Sequence, residues 1–129
     1  MEKRKILMVD DEVDFADMIR MRLENTGKYE VAVLADTRDI LSRVHKFRPD
    51  LILLDLLIPD IGGMEVCEML DRDPQGIGIP IIILSALDKD TDKKKAYKLG
   101  VVDYLVKPVD PDRLLASVEK AIESKTRGE

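Results

Sequence analysis

The chain predicts a doubly wound α/β fold, a flavodoxin-like sheet of five parallel strands in the order 2-1-3-4-5 with helices on both faces. Three observations carry this. Short apolar runs alternate five times with apolar stripes at helical spacing, the pattern of a parallel sheet with crossover helices. One run, Leu51-Ile52-Leu53-Leu54, is aliphatic throughout, as in a central strand buried on both faces. Right-handed crossovers leave few topologies for such a chain, and 2-1-3-4-5 is the commonest five-stranded solution.

The first strand is Ile6 to Val9, ending abruptly at Asp10-Asp11-Glu12. Phe15, Ile19 and Leu23 recur at helical spacing, so a helix runs from Glu12 to about Asn25 and stops at Gly27. Tyr29 to Leu34, rich in valine, is the second strand. Asp36 or Thr37 caps a second helix that buries Ile40, Leu41, Val44 and Phe47 and ends at Pro49. Leu51 to Leu54 is the third strand, and Pro59, Gly62 and Gly63 mark the loop beyond it. Gly63 to about Asp71 is the third helix, with Val66, Cys67 and Leu70 inward. Pro80 to Leu84 is the fourth strand, Asp88 to Leu99 a polar, lysine-rich helix, and Val101 to Leu105 the fifth strand. Asp110 caps the last helix, with Pro111 at its first position and Leu114, Leu115, Val118 and Ile122 inward. The 129 residues read as one domain, with a core of about 4–124 and a frayed polar tail at 125–129.

A content of 45% hydrophobic residues supports a real core, and a net charge of −5 argues against direct binding of nucleic acid. The single cysteine, Cys67, forms no internal disulfide, which fits a cytoplasmic protein. The basic start Lys3-Arg4-Lys5 precedes an apolar run too short for a signal peptide, and no run approaches the ~20 residues of a membrane helix. The expected location is therefore cytoplasmic, with no membrane partner.

In this strand order, ligands bind at the carboxyl ends of the first and third strands. Asp10 and Asp11 arrive there from the first strand and Asp55 from the third. The fourth ends at Ser85-Ala86 and the fifth runs into Lys107-Pro108. Two carboxylates ~4–5 Å apart repel by about 1–4 kcal/mol, so such a cluster does not serve stability. Oxygen ligands with open positions suit a hard cation, and Mg²⁺ fits best because it keeps waters and binds few carboxylates. Asp55 can then act as a nucleophile toward a phosphoryl group, with Mg²⁺, Lys107 and Ser85 stabilising the transferring oxygens. Blander roles compete. Asp10-Asp11-Glu12 can simply begin a helix, Ser85 can cap one, and Tyr104 can be a half-buried strand aromatic. His45 reads as solvated, Cys67 as inert core, and Lys93-Lys94-Lys95 as a solvated helix face.

The set Asp10-Asp11, Asp55, Ser85-Ala86 and Lys107-Pro108, with Tyr104 three residues before the lysine, resembles the receiver domain of two-component response regulators over essentially the whole chain. The resemblance implies a phosphorylation-activated switch and not an enzyme in its own right, although it catalyses its own phosphotransfer and slow dephosphorylation. Asp55 would accept the phosphoryl group from a phosphohistidine on a sensor histidine kinase or phosphotransfer protein. Asp10, Asp11, Asp55 and the Leu57 backbone carbonyl would hold Mg²⁺, with Mn²⁺ able to substitute. Ser85 would hydrogen-bond the phosphoryl group, Lys107 would pair with it, and Tyr104 would turn between outward and inward positions. Pro59 and Gly63 would shape the acceptor loop, and the Lys107-Pro108 bond would be cis. The altered surface, formed by the fourth helix, fifth strand and fifth helix, would control a downstream protein or an output domain absent from this chain, or form a phosphorylation-dependent dimer.

Departures from the family pattern are Ser85 for the usual threonine, Gly62 before the loop glycine where a polar residue is common, and Leu57 and Leu87 near the acceptor where polar residues are frequent. The two leucines bear on the lifetime of the phosphorylated state. Other functions fit less well. A flavodoxin-type cofactor carrier needs a hydroxyl- and amide-rich phosphate loop where this chain has Asp10-Asp11. A hydrolase with an aspartyl-phosphate intermediate needs a second aspartate where this chain has Leu57. A module that has lost phosphorylation would not keep every reactive group.

Overall fold

The elements follow in the order β1 (Arg4–Val9), α1 (Val13–Glu24), β2 (Tyr29–Leu34), α2 (Ile40–Phe47), β3 (Leu51–Leu54), α3 (Gly63–Asp71), β4 (Ile81–Ser85), α4 (Asp90–Lys98), β5 (Asp103–Val106) and α5 (Pro111–Gly128). The computed structural model describes residues 2–128, with side chains through Ser124. Every neighbouring pair of strands is parallel and the order is β2-β1-β3-β4-β5, as the alternation of runs predicts.

Alternation along each strand assigns the helices to their faces. Ile6, Met8, Leu51, Leu53, Ile82 and Leu84 point to one side and pack with Ile19 and Leu23 of α1 and Leu114 and Val118 of α5. Leu7, Val9, Ile52, Leu54 and Ile83 point to the other and meet Val44 of α2, Val66 and Leu70 of α3 and Ala96 of α4. All four residues of β3 are buried, which is why that run carries no polar position.

Element boundaries move where backbone pairing outruns hydropathy. β1 begins at Arg4 because Arg4 and Lys5 continue the ladder against Tyr29 and Glu30. β4 runs one residue later than expected, through Ser85, and β5 begins at Asp103, which pairs with Ile82. α4 starts at Asp90, while Asp88 lies outside it and holds Lys93 at 2.9 Å. Cys67 is buried, and burial pushes its thiol up to about 11. Asp110 caps α5, its Oδ1 accepting the Asp112 N–H at 3.4 Å. α5 itself extends through Gly128, beyond the start of the tail read as frayed from the sequence, and Glu129 lies outside the described residues.

One sequence reading is corrected and another extended. Neither Asp36 nor Thr37 caps α2; its boundary residue is Asp39, which makes no side-chain capping bond. Thr37 is instead fully buried and bonded across the edge of the sheet to the loop after β3. His45 is exposed, as the sequence suggests, and its ring also has a partner. Its Nε2 lies 2.9 Å from both carboxylate oxygens of Asp73, whose Oδ2 accepts the N–H groups of Gln75 and Gly76. The His45 contact, helped by those backbone bonds, holds the Asp73 carboxyl below its ordinary value.

The loop after β3 closes tightly at Gly63, whose N–H donates to Leu56 O at 3.2 Å. A Cβ there would lie 2.6 Å from Leu56 Cα and 2.7 Å from Asp55 O, both backbone atoms that cannot swing aside. Gly62 differs. It has extended backbone and open space around it, so α3 simply begins without a side-chain cap. Gly63→Ala is therefore expected to lower stability by about 1–3 kcal/mol through overpacking, while Gly62→Ser is tolerated. Urea melts of the two variants check the contrast.

Candidate functional site

The register brings the reactive groups together before any side chain is considered. Val9 pairs with Leu54, and the Asp55 N–H continues the ladder to Val9 O at 3.0 Å. Asp10 and Asp55 thus leave adjacent strands at one level. On the other side, Ser85 pairs with Val106, and the Lys107 N–H donates to Ser85 O at 2.9 Å. The Lys107-Pro108 peptide bond is cis.

Lys107 Nζ lies 2.8 Å from Asp10 Oδ2, 3.0 Å from Asp55 Oδ2 and 2.7 Å from Glu12 Oε1. It also sits 4.5 Å from the centroid of the Phe15 ring, at cation–π range. The other oxygens of the two buried carboxylates serve the backbone. Asp10 Oδ1 accepts the Glu12 N–H at 2.9 Å, and Asp55 Oδ1 accepts the Leu57 N–H at 3.0 Å. Asp10 therefore supports the start of α1 and faces the crevice at once, so the helix-start and site readings of that residue coexist.

Charges at this edge are unequally sheltered. Asp10 and Asp55 are buried, whereas Asp11 and Glu12 are exposed. Burial pushes the Asp10 carboxyl up, and Lys107 offsets only part of that rise. Burial also works against the Lys107 charge, yet its contacts with Asp10, Glu12 and Asp55 hold the ammonium above its ordinary value. The ion pair alone would lower Asp10; desolvation wins there because a nearly inaccessible carboxylate gives up more hydration than one shared cation returns. Asp10 Oδ2 sits at ion-pair distance from Lys107 but off the direction of a hydrogen bond, and it has no other partner.

A hard divalent cation fits this donor set. Asp10, Asp11 and Asp55 each offer an oxygen, all within 4.8 Å of one another, and one of the buried carboxylate oxygens lacks a hydrogen bond. Leu57, beside Asp55, is 55% exposed, and Leu87 is half-buried.

The remaining residues form a short chain leading away from the carboxylates. The Ser85 hydroxyl, fully buried, accepts the Leu87 N–H at 3.3 Å and makes no hydrogen bond to Asp55. The Tyr104 hydroxyl donates to Leu87 O at 2.7 Å. Tyr104 is turned inward, and burial, with Asp92, Asp88 and Asp55 adding to it, pushes its phenol up to about 12. Leu87 thus joins Ser85 to Tyr104 through its own N–H and carbonyl. Glu12 and Phe15 are members of the site that the sequence did not single out. One followed an acidic pair and the other completed a helical stripe, and only the folded position of Lys107 reveals them.

A buried aspartate at the end of a central parallel strand, paired with a lysine from the last strand and ringed by further carboxylates, defines an acidic switch-point site on a doubly wound sheet. The sequence matches the response regulator receiver domain family over residues 6–119, and the chain belongs to that family. It is 37% identical over 116 residues to the DNA-binding response regulator MtrA of Mycobacterium leprae, covering 90% of this chain and 50% of that protein. It is likewise 37% identical to the alkaline phosphatase synthesis transcriptional regulatory protein PhoP of Bacillus subtilis, covering 90% of this chain and 47% of that one. The chain therefore spans about half the length of the curated relatives it matches. Among solved structures, a CheY-like receiver domain protein from Methanospirillum hungatei superposes with a TM-score of 0.91 at 25% identity, covering 99% of this chain and 100% of the other. The receiver domain of Francisella response regulator 1452 gives 0.86 at 31% identity, covering 95% and 98%.

Because burial raises the Asp10 carboxyl above its ordinary 3.8, the folded protein holds that proton more tightly than the unfolded chain. The stability this contributes is present below the ordinary value and is lost as pH rises through the folded one. Asp10→Asn keeps the oxygen that accepts Glu12 N–H and removes the charge. At neutral pH without metal it is expected to be more stable than the parent by about 1–3 kcal/mol, a gap that closes toward pH ~4. It should also bind Mg²⁺ more weakly. Urea melts across pH, with and without Mg²⁺, measure both effects.

Proposed function

We propose that the chain is a phosphorylation-activated signalling switch that accepts a phosphoryl group on Asp55 from the phosphohistidine of a sensor histidine kinase or phosphotransfer protein. The observation that carries this is the posture of Asp55. It is buried at the end of β3, with one oxygen fixed by the Leu57 N–H and the other on the Lys107 ammonium. A carboxylate oxygen of Asp55 forms the bond to phosphorus as the P–N bond of the donor breaks. Lys107 stays charged and pairs with the incoming phosphoryl oxygens. Ser85 exchanges its Leu87 N–H for a phosphoryl oxygen, to which it can donate. Mg²⁺, or Mn²⁺ in its place, would be held by Asp10, Asp11, Asp55 and the Leu57 carbonyl, and would supply charge stabilisation at the phosphoryl oxygens.

The readout surface in this proposal is α4-β5-α5. Tyr104 of β5 is tied to the loop before α4 through Leu87. Asp103, next to it, accepts the Ser117 hydroxyl of α5 at 2.5 Å and the Tyr97 hydroxyl of α4 at 3.5 Å. A change at Ser85 therefore reaches all three elements through few bonds. The outlet is a downstream partner, an output domain, or a phosphorylation-dependent dimer through this surface. MtrA is named as a DNA-binding response regulator, and the net charge of −5 supports a reading in which this stretch itself does not contact nucleic acid. No described helix is long and apolar enough to cross a membrane, which is compatible with a cytoplasmic setting.

With acetyl phosphate and Mg²⁺ the protein is expected to gain one phosphoryl group, and Asp55→Asn to gain none, as read by rapid intact-mass spectrometry. Equal labelling of the Asn variant would overturn the assignment.

Leu57 and Leu87 tune the lifetime of that group in this reading. An attacking water must be held in line to react, and positioning is worth orders of magnitude in rate. Two leucines offer such a water nothing to bond. Autodephosphorylation is expected to be slow, and Leu87→Glu or Leu57→Asn to speed it. Phosphate release from labelled parent and variants in one Mg²⁺ buffer checks this; identical rates would assign the leucines to packing or partner contact.

A further inference from the structure

Five polar or charged side chains are buried among the described residues: Asp10, Thr37, Asp55, Ser85 and Ser117. Three belong to the site, and Ser117 is bonded to Asp103. Thr37 remains. It is fully buried in the β2–α2 connection, between the exposed residues Ala35 and Arg38 and the half-buried Asp36.

Every hydrogen bond of its hydroxyl reaches one short segment, while its carbonyl accepts the Ile40 N–H at 3.2 Å. The hydroxyl proton is shared between Ile61 O at 2.7 Å and Pro59 O at 2.9 Å, and the hydroxyl oxygen accepts the Ile61 N–H at 2.6 Å. The Thr37 N–H also reaches Pro59 O at 3.4 Å. Between these anchor points Asp60 has a φ of 75°, in the left-handed region that a non-glycine residue does not choose unaided. The segment belongs to no strand or helix.

The loop it sits in carries the acceptor. Its beginning is fixed by Asp55 N–H to Val9 O and its end by Gly63 N–H to Leu56 O. In between, the chain must hold Leu57, whose N–H orients the Asp55 carboxylate. Thr37 supplies the hold on the middle of that span. We propose that Thr37 is a positioning residue for the Asp55 site: its buried hydroxyl fixes the turn at residues 59–61 and, through it, the backbone at Leu57 and the direction of the acceptor carboxylate. The phosphoryl arm of this inference rests on the phospho-acceptor reading; the carboxylate geometry does not.

Thr37→Val keeps the shape and removes the hydroxyl, Thr37→Ser keeps the hydroxyl, and Thr37→Cys offers a weak donor in its place. Each is studied as the full chain under conditions where urea melts show it fully folded. Exchange of the Leu57 amide, followed by NMR without metal or phosphoryl donor, reads the bond to Asp55 Oδ1 directly. It is expected to speed by ~10-fold or more in Val, stay near the parent in Ser and fall between in Cys. Mg²⁺ affinity by calorimetry and labelling by acetyl phosphate should fall by about 10-fold in Val and recover in Ser. If Val does not fold, the Cys and Ser variants carry the comparison. A hydroxyl that only stabilises the fold would leave Leu57 exchange and Mg²⁺ affinity unchanged in the folded variants, and that result overturns the proposal. Failure of the parent itself to label at Asp55 would count against the phospho-acceptor reading and leave the Leu57 exchange comparison to decide the role of Thr37.

Discussion

One ammonium holds the acidic edge of this sheet together. Lys107 is within 3.0 Å of carboxylate oxygens from Asp10, Glu12 and Asp55. Each like-charge pair at ~4–5 Å costs about 1–4 kcal/mol, while a domain of this kind has only ~5–15 kcal/mol of net stability. A site with several such pairs and no cation would consume much of that margin. Lys107 is not free to be elsewhere, because Val106 pairs with Ser85 and the next residue emerges beside the end of β4, from where its side chain reaches Asp55 and Asp10. The Phe15 ring lines the ammonium on another side, so the charge is met by carboxylates and a quadrupole.

The strands beneath are what make such a crowded edge tenable. β3 is buried along its whole length, and its neighbours β1 and β4 are aliphatic toward both layers of helices. Close-packed strands leave their carboxyl ends little room to relax, so Asp10 and Asp55 cannot drift apart to relieve repulsion. The connecting loops add two local restraints, the close approach at Gly63 and the buried Thr37 hydroxyl. Burial explains why Asp10 is raised although a lysine is in contact with it. It also explains why a second cation at the exposed side, near Asp11, would be welcome electrostatically.

Much of this was legible in the chain itself, for a definite reason. A parallel sheet puts strand order, strand ends and ligand site into one geometric rule, so Asp10, Asp55, Ser85 and Lys107 could be brought to one edge from hydropathy alone. What stayed hidden depended on contacts far apart in sequence. Thr37 has a residue type that suits a helix cap, but its partners Pro59 and Ile61 are 22 and 24 residues away and they decide its use. His45 is the solvated helix position it looks like, but its partner Asp73, 28 residues on, is invisible locally. Phe15 sat in the expected apolar stripe of α1, and nothing local marks it as the floor under Lys107. Strand ends such as Arg4 and Lys5 were missed because backbone ladders do not require apolar side chains.

The path from the carboxylates to the far surface is short enough to bound energetically. Ser85 and Tyr104 both bond to Leu87, one to its N–H and one to its carbonyl, so a single residue stands between them. Moving a two-state element from 1:99 to 99:1 takes ~5.5 kcal/mol of differential interaction. In the proposed switch the new interactions are hydrogen bonds from Ser85 and Lys107 to a charged group, worth about 1.5–3 kcal/mol each. Neither is a full gain. Ser85 would shift from its present position beside the Leu87 N–H in that proposal, and Lys107 already has three carboxylate partners, so only the difference between old and new bonds is available. That difference falls short of a complete swing. In that proposal phosphorylation alone would shift the balance between loop arrangements by degree, and the remainder would come from a partner bound at the α4-β5-α5 surface.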